Sequence, residues 1–334
     1  EQHFASLDKV FNATADSKIE EGYIRRYYGI LEKPLTIALL IGDIKGKEKK
    51  ALQQAIANGE VDIAIGTHAL IQKDTSFNKL GLAVIDEQHR FGVEQRAALG
   101  KKGKSPHLLI MTATPIPRTL ALTLYGELDL SVIDELPPGR QVIKTKWLQA
   151  VERSKTYNFI SRQVEEGRQA FIICPLVEES EAIQAKAATV EYETLSRDIF
   201  PNLKLGLIHG RLSATAKDEV MRLFHDGTLN ILVSTPVIEV GIDVPNATVM
   251  LVESADRFGV SQLHQFRGRV GRGEHQSYCL LLSDNPSEIS KLRLDIIERI
   301  QDGFALAEED LKLRGPGEFF GTRQSGLPDL KMAR

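Results

Sequence analysis

Through its first 283 residues the chain alternates short apolar runs with longer stretches of helical period, and that alternation decides most of what it can become. The runs Ile37–Ile41, Leu82–Ile85, Leu108–Met111, Ala170–Ile173, Val249–Val252 and Cys279–Leu282 are unbroken by polar residues. A strand that is apolar on both faces belongs in a buried parallel sheet covered by helices. Strands are expected at 35–41, 61–66, 82–86 and 108–112, then at 169–174, 205–208, 230–234, 248–252 and 277–283. Helices are expected between them at 1–13, 17–28, 47–58, 91–99, 116–124, 150–166, 179–197, 213–225 and 260–268. The implied class is α/β. No apolar run approaches the ~20 residues that a membrane-crossing helix needs, so no membrane role is expected.

A chain of 334 residues has room for about two domains. The string Leu136-Pro137-Pro138-Gly139-Arg140 breaks both helix and ladder and marks the linker, giving domains 1–140 and 141–285. After Asp284-Asn285-Pro286 the strand signal stops. Residues 287–312 read as a helical hairpin broken near Gly303. Gly315, Pro316, Gly317, Gly321, Gly326 and Pro328 then make a loop of the C-terminal stretch, so 286–334 forms a third region. With 42% hydrophobic and 26% charged residues the chain is not a disordered or low-complexity one. A net charge of −3 gives no global basic signal, so a nucleic-acid partner must be argued from local residues. Cys174 and Cys279 each sit in an apolar run and read as buried, reduced thiols. The histidines and cysteines lack zinc-ligand spacing. The first helix starts at Glu1 with neither cap nor initiator methionine, which suggests a start inside a longer protein.

Four strings carry chemistry. Asp86-Glu87-Gln88-His89 follows the run Leu82–Ile85, so both acids fall at the carboxyl edge of a sheet, where open α/β folds bind ligands. The first acid suits Mg²⁺ held through water, and the second suits orienting or deprotonating a water. A solvated turn is the plainer alternative. Thr112-Ala113-Thr114-Pro115 places hydroxyls at the end of the next strand, where they can reach a neighbouring site or serve Thr114 as a helix cap. Ser234–Pro245 sets Gly241 near Asp243 at another strand end, suited to a nucleotide sugar or to a tight turn. In Gln265-Phe266-Arg267-Gly268-Arg269-Val270-Gly271-Arg272-Gly273, arginines alternate with glycines that allow close backbone approach, and guanidinium forks match phosphate oxygens. An RNA-binding arginine–glycine tract would be longer and unstructured, whereas this one lies between a helix and a strand. His209-Gly210-Arg211 is a further polar cluster after the strand 205–208.

Taken in order, these strings resemble superfamily 2 helicases and translocases over almost the whole chain. Gly66-Thr67-His68 looks like a DNA-backbone contact motif, Asp86–His89 like the Walker B motif, and Thr112-Ala113-Thr114 like the coupling motif. Ser234–Asp243 and Gln265–Arg272 look like the fifth motif and the arginine-finger motif. The tail Asp310–Gly326 looks like the translocation motif shared by RecG and the transcription-repair coupling factor. The Asp86–His89 form followed by Arg90-Phe91-Gly92, together with Gly315–Gly326, resembles the RecG family of bacterial ATP-dependent DNA helicases more than the coupling factor.

The resemblance implies two RecA-like parallel-sheet domains, the first truncated, plus a C-terminal helical hairpin and loop. It implies ATP and Mg²⁺ as cofactors, branched or duplex DNA as partner, a single-stranded-DNA-binding protein as a further partner, and the bacterial cytoplasm as location. ATP would sit between the two domains. Asp86 would position Mg²⁺ and Glu87 activate water, while Gln88, His89, Thr112 and Thr114 relay the γ-phosphate state. Arg269 and Arg272, placed by Gln265, would neutralise phosphoryl charge, with Gly241 and Asp243 at the nucleotide. Thr67, His68, His209 and Arg211 would contact DNA, and Arg314, Arg323 and Gln324 would transmit closure to translocation. The chain departs from the family in two large respects: no G-x-x-x-x-G-K-[ST] string occurs in it, and the family's N-terminal wedge domain, which binds branched DNA, is expected to be missing from it. This chain alone is therefore expected to bind ATP weakly, to hydrolyse almost none, and to have a marginally stable first domain. A coupling-factor-like duplex translocase and a non-catalytic DNA-binding module are the competing readings.

Overall fold

The computed structural model describes residues 2–44, 46–72, 74–87, 102–103, 105–112, 129–133, 135, 139–174, 181–236 and 244–314. Among these, two compact units separate, one up to Thr112 and the other from Asp129 to Arg314. The expected helices at 91–99 and 116–124, most of the proline pair's linker and the tail loop lie outside the described residues.

The first unit holds a helix α1 (Gln2–Asn12), strands β1 (Ser17–Glu21), β2 (Ile24–Tyr28) and β3 (Leu35–Leu40), a helix α2 (Gly46–Asn58), and strands β4 (Ile63–Gly66), β5 (Leu82–Ile85) and β6 (His107–Ile110). One sheet runs β1-β2-β3-β4, antiparallel at its first two junctions and parallel at the third. The fully buried β3 alternates its side chains between two cores. Leu35, Ile37 and Leu39 join Phe4 and Tyr27. Ala38 and Leu40 join Leu52 and Ile56 of α2. The parallel pair β5-β6 forms a second, two-stranded sheet.

The helix expected at 17–28 is instead the β1–β2 hairpin. Gly22 takes a left-handed φ of +57° at the turn, a conformation natural to glycine. Glu20 faces Arg25 across the ladder, with Nη2 3.3 Å from Oε2. Tyr27 is fully buried and its hydroxyl donates to Asp8 of α1 at 2.5 Å. Cross-strand pairs and one anchored aromatic outweigh helix propensity here.

The second unit is built on strands β7 (Lys144–Gln149), β8 (Gln169–Ile173), β9 (Leu205–Ile208), β10 (Ile231–Ser234), β11 (Ala247–Val252) and β12 (Tyr278–Ser283). Its helices are α3 (Arg153–Glu165), α4 (Glu181–Thr194), α5 (Ala214–His225), α6 (Val260–Arg267), α7 (Glu288–Arg299) and α8 (Gly303–Arg314). The sheet order is β7-β12-β11-β8-β10-β9, parallel at every junction. Alternate residues feed opposite faces. Phe171, Ile173, Met250, Val252 and Leu281 pack on one side with Leu263, Phe266, Leu294 and Ile297. Ala170, Ile172, Val249, Leu251 and Leu282 pack on the other with Ile160, Val164 and Ala188. The strand β7 lies outside the sequence expectation. It is the sheet's edge, with Lys144 and Lys146 exposed, and the carboxylate of Glu298 accepts the Trp147 backbone N–H at 3.0 Å. Both cysteines are free and buried. No helix among the described residues is long and apolar enough to cross a membrane.

Candidate functional site

In the first unit β5 and β6 run in parallel register with Ile85 opposite Ile110, so Asp86, Glu87 and Thr112 emerge at the same carboxyl edge. The Met111 N–H still donates to Ile85 O at 2.8 Å, carrying the ladder one residue past the strand. Asp86 leaves its side chain 43% exposed. Its Oδ1 accepts the Glu87 backbone N–H at 2.9 Å, and its Oδ2 lies 2.9 Å from Nε2 of His3 on α1. Glu87 adopts φ +51°, a left-handed conformation that non-glycine residues rarely hold. Such local strain of about 1–3 kcal/mol clusters where a side chain must be aimed. Gln88, His89 and Thr114 lie outside the described residues. Thr67 and His68 are exposed just beyond β4. Gly66 precedes them because a Cβ there would come within 2.1 Å of Leu40 O.

In the second unit the carboxyl ends of β9 and β10 are neighbours, with Ser234 opposite Ile208 and hence Thr235 beside His209. Thr235 is 2% exposed, and its Oγ1 and the His209 Nδ1 are buried without a hydrogen-bond partner. Burial, and then the charges of Lys217 and Arg211, lower the His209 pKa. Arg211 is exposed beside it. Gly241 and Asp243 lie outside the described residues.

The arginine string begins on α6 and ends in the loop after it. Gln265 and Arg269 are half-buried and Arg272 is exposed. Two of the interleaved glycines answer to the protein itself. A Cβ on Gly271, at φ +78°, would meet Ile143 Cγ1 at 2.8 Å, and one on Gly273 would meet Pro245 O at 2.5 Å. Arg267 is 2% exposed and engaged within the fold. Its Nη1 donates to Ile297 O and Ile300 O at 2.9 Å, and its Nη2 donates to Gln301 O at 3.1 Å and lies 2.9 Å from His264 Nδ1. The guanidinium thus closes the carboxyl end of α7 from a neighbouring helix. The side chain of Arg314, and all of Arg323 and Gln324, lie outside the described residues.

No group of three or more His, Cys, Asp or Glu among the described residues could hold a metal. Asp86 nonetheless fits Mg²⁺, which takes one or two carboxylates and completes its shell with waters and phosphate oxygens.

An α/β unit with paired acids at the tip of a parallel strand, together with a second whose helix runs into an arginine–glycine loop, defines a superfamily 2 helicase core. The family models agree: a DEAD/DEAH box helicase model matches residues 24–123, and a helicase conserved C-terminal domain model matches 152–274. A third model, ATP-dependent DNA helicase RecG domain 3, C-terminal, matches 300–334. Curated ATP-dependent DNA helicases RecG are similar throughout. That of Synechocystis sp. is 56% identical over 90% of this chain and 36% of the relative. That of Bacillus subtilis is 54% identical over 90% and 44%. That of Streptococcus pneumoniae is 47% identical over 100% and 46%. A structure of RecG bound to a three-way DNA junction superposes with a TM-score of 0.70 at 44% identity, covering 95% of this chain and 39% of that one. The chain belongs to the RecG family, and it spans less than half the length of these relatives.

Proposed function

We propose that this chain carries the motor part of an ATP-dependent DNA helicase that remodels branched DNA such as stalled forks and Holliday junctions. The observation that supports it most is the convergence of Asp86, the strained Glu87 and Thr112 on one strand edge. In this reading 1–140 and 141–285 are the two RecA-like domains, and 286–334 is the hairpin and translocation motif. Asp86 holds Mg²⁺ through water, and Glu87 orients the attacking water. Gln88, His89, Thr112 and Thr114 sense the γ-phosphate. Arg269 and Arg272, placed by Gln265, neutralise charge that spreads over the phosphoryl oxygens, and Gly241 and Asp243 meet the nucleotide. Nucleotide and Mg²⁺ supply the phosphoryl chemistry when bound; the protein's part is positioning and charge. The phosphate cradle is not among the residues present, since no P-loop string occurs in the sequence. Thr67, His68, His209 and Arg211 take the DNA backbone, and the orphaned polar atoms of His209 and Thr235 suit a ligand that supplies their partner. Arg314, Arg323 and Gln324 pass domain closure to the duplex. A single-stranded-DNA-binding protein at forks and a bacterial cytoplasmic location belong to the same reading.

The test compares ATP turnover by this chain with turnover by a chain that also carries an upstream P-loop segment. The chain alone should be nearly inactive and the longer one stimulated by forks more than by linear duplex. In the longer chain Glu87→Gln should abolish turnover, and Arg269→Ala should lower it on the order of 10³-fold. Unchanged turnover in Glu87→Gln would remove Glu87 from the chemistry. Equal stimulation by linear duplex would favour a coupling-factor-like translocase.

A further inference from the structure

The loop that carries Arg269 and Arg272 is bound along one side by the first described residues after the proline pair. Arg140 Nε donates to Gly271 O at 2.8 Å, in the middle of the turn between the two arginines. Gln141 Nε2 donates to Glu274 O at 2.8 Å, and Gln276 Nε2 returns a bond to Val142 O at 2.8 Å. The Lys144 N–H then donates to Ser277 O at 2.9 Å, where β7 and β12 begin their ladder. Ile143 presses against Gly271 so closely that only glycine fits. The left-handed φ of +78° at Gly271 turns its carbonyl toward Arg140. Residues 140–144 and 271–277 are therefore zipped together, and the Arg140 guanidinium is a charged fastener on the turn between the two arginines.

We infer that Arg140 is a positioning residue for the arginine finger: it acts through the Gly271 carbonyl, whose hold on the turn sets the direction of Arg269 and Arg272. The inference rests on the reading of Arg269 and Arg272 as phosphate contacts. Its logic is geometric. A finger acts only when its guanidinium meets charge that develops in the transition state, and a displacement of about 1 Å can cost on the order of 10²-fold. The glycines give this turn freedom, and a bond to the carbonyl between them removes it. A neutral amide could make the same hydrogen bond more weakly, whereas a charge-assisted one is shorter and stronger.

The test uses the full-length protein and steady-state, DNA-stimulated ATP turnover. Arg140→Met keeps the aliphatic stem and removes the donor. It should lower kcat about 10- to 100-fold, leave KM for ATP within about threefold and leave Tm within a few degrees. Arg140→Lys should recover part of kcat. Gln141→Ala, which removes the neighbouring bond, should lower kcat by a smaller factor and serves as the reporter should Arg140→Met fail to fold. Arg140→Met added to the pair Arg269→Ala and Arg272→Ala should lower kcat no further than that pair alone. Wild-type kcat in Arg140→Met and Gln141→Ala, or a full additional loss when Arg140→Met is added to the pair, would overturn the inference. If Arg269→Ala and Arg272→Ala themselves turn over ATP at the wild-type rate, the phosphate-contact reading fails and the role of Arg140 falls with it. If those two are inactive while Arg140→Met is normal, only the role of Arg140 fails.

Discussion

Arg267 lies seven residues after Val260 and four after Leu263, so a regular helix turns it to the side on which those two residues are buried. That spacing was readable in the sequence, yet the arginine–glycine string invites all three arginines to be read as one phosphate-binding set. The structure separates them. A guanidinium buried without a carboxylate would be costly, and here the negative end of α7 and its terminal carbonyls take that role. Arg267→Met should therefore destabilise the second unit by about 3 kcal/mol, and Arg267→Lys should not restore it, because one ammonium cannot reproduce the fork. Urea titration followed by Trp147 fluorescence measures both. His264 adds a pH dependence. Burial, and then Arg267, depress its pKa to about 4, so the folded state holds it neutral. A depressed folded pKa means that the contribution is complete above the unfolded value near ~6.5 and is lost as pH falls toward 4. The loss should reach about 3 kcal/mol over that window. His264→Asn should flatten this part of the profile relative to the unmutated chain. Parallel profiles for the two would refute a buried neutral imidazole.

Among the elements, the strands that form the middle of the large sheet were legible, because β8, β11 and β12 are apolar on both faces and no solvent-facing residue interrupts their runs. The hairpin at 17–28 and the edge strand β7 were not. Lys144 and Lys146 alternate with half-buried neighbours in a way that composition alone reads as a loop. Residues 17–28 are polar enough to read as a solvent-facing helix until Tyr27 finds Asp8. The same limit holds at the site. Strand tips announced Asp86, Glu87 and Thr112, whereas Arg140 depends on a partner 131 residues away that no local pattern shows. The junction of β3 and β4 offers a test at this scale. Their pairing brings Leu40 O to within 2.1 Å of where a Gly66 Cβ would stand, and a backbone carbonyl cannot move aside cheaply. Gly66→Ala should destabilise the first unit by more than about 2 kcal/mol and displace Thr67 and His68 with it. Its effect on the second unit, read by Trp147, should be nil. A first unit that melts unchanged in Gly66→Ala would contradict this pairing.

At the scale of the whole molecule the two units differ in how completely their sheets are covered. The second has six parallel strands sealed by a hydrophobic cluster on each face, the arrangement in which parallel sheets are stable. In the first, β5 pairs with β6 alone among the described residues, and Leu82, Val84 and Leu109 of that pair are 58%, 52% and 49% exposed. Apolar side chains left in water contribute little to stability, so the first unit should unfold at lower denaturant than the second. Trp147 is the chain's one tryptophan and belongs to the second unit. In a urea titration the far-UV circular dichroism should therefore begin to fall before the Trp147 fluorescence moves. The fluorescence transition should carry a slope suited to the second unit rather than to 334 residues. Gly66→Ala should shift the early transition only, and Arg267→Met the late one only. Coincident transitions with a slope for the whole chain would mean that the exposed face of β5 and β6 costs nothing and that the two units unfold as one.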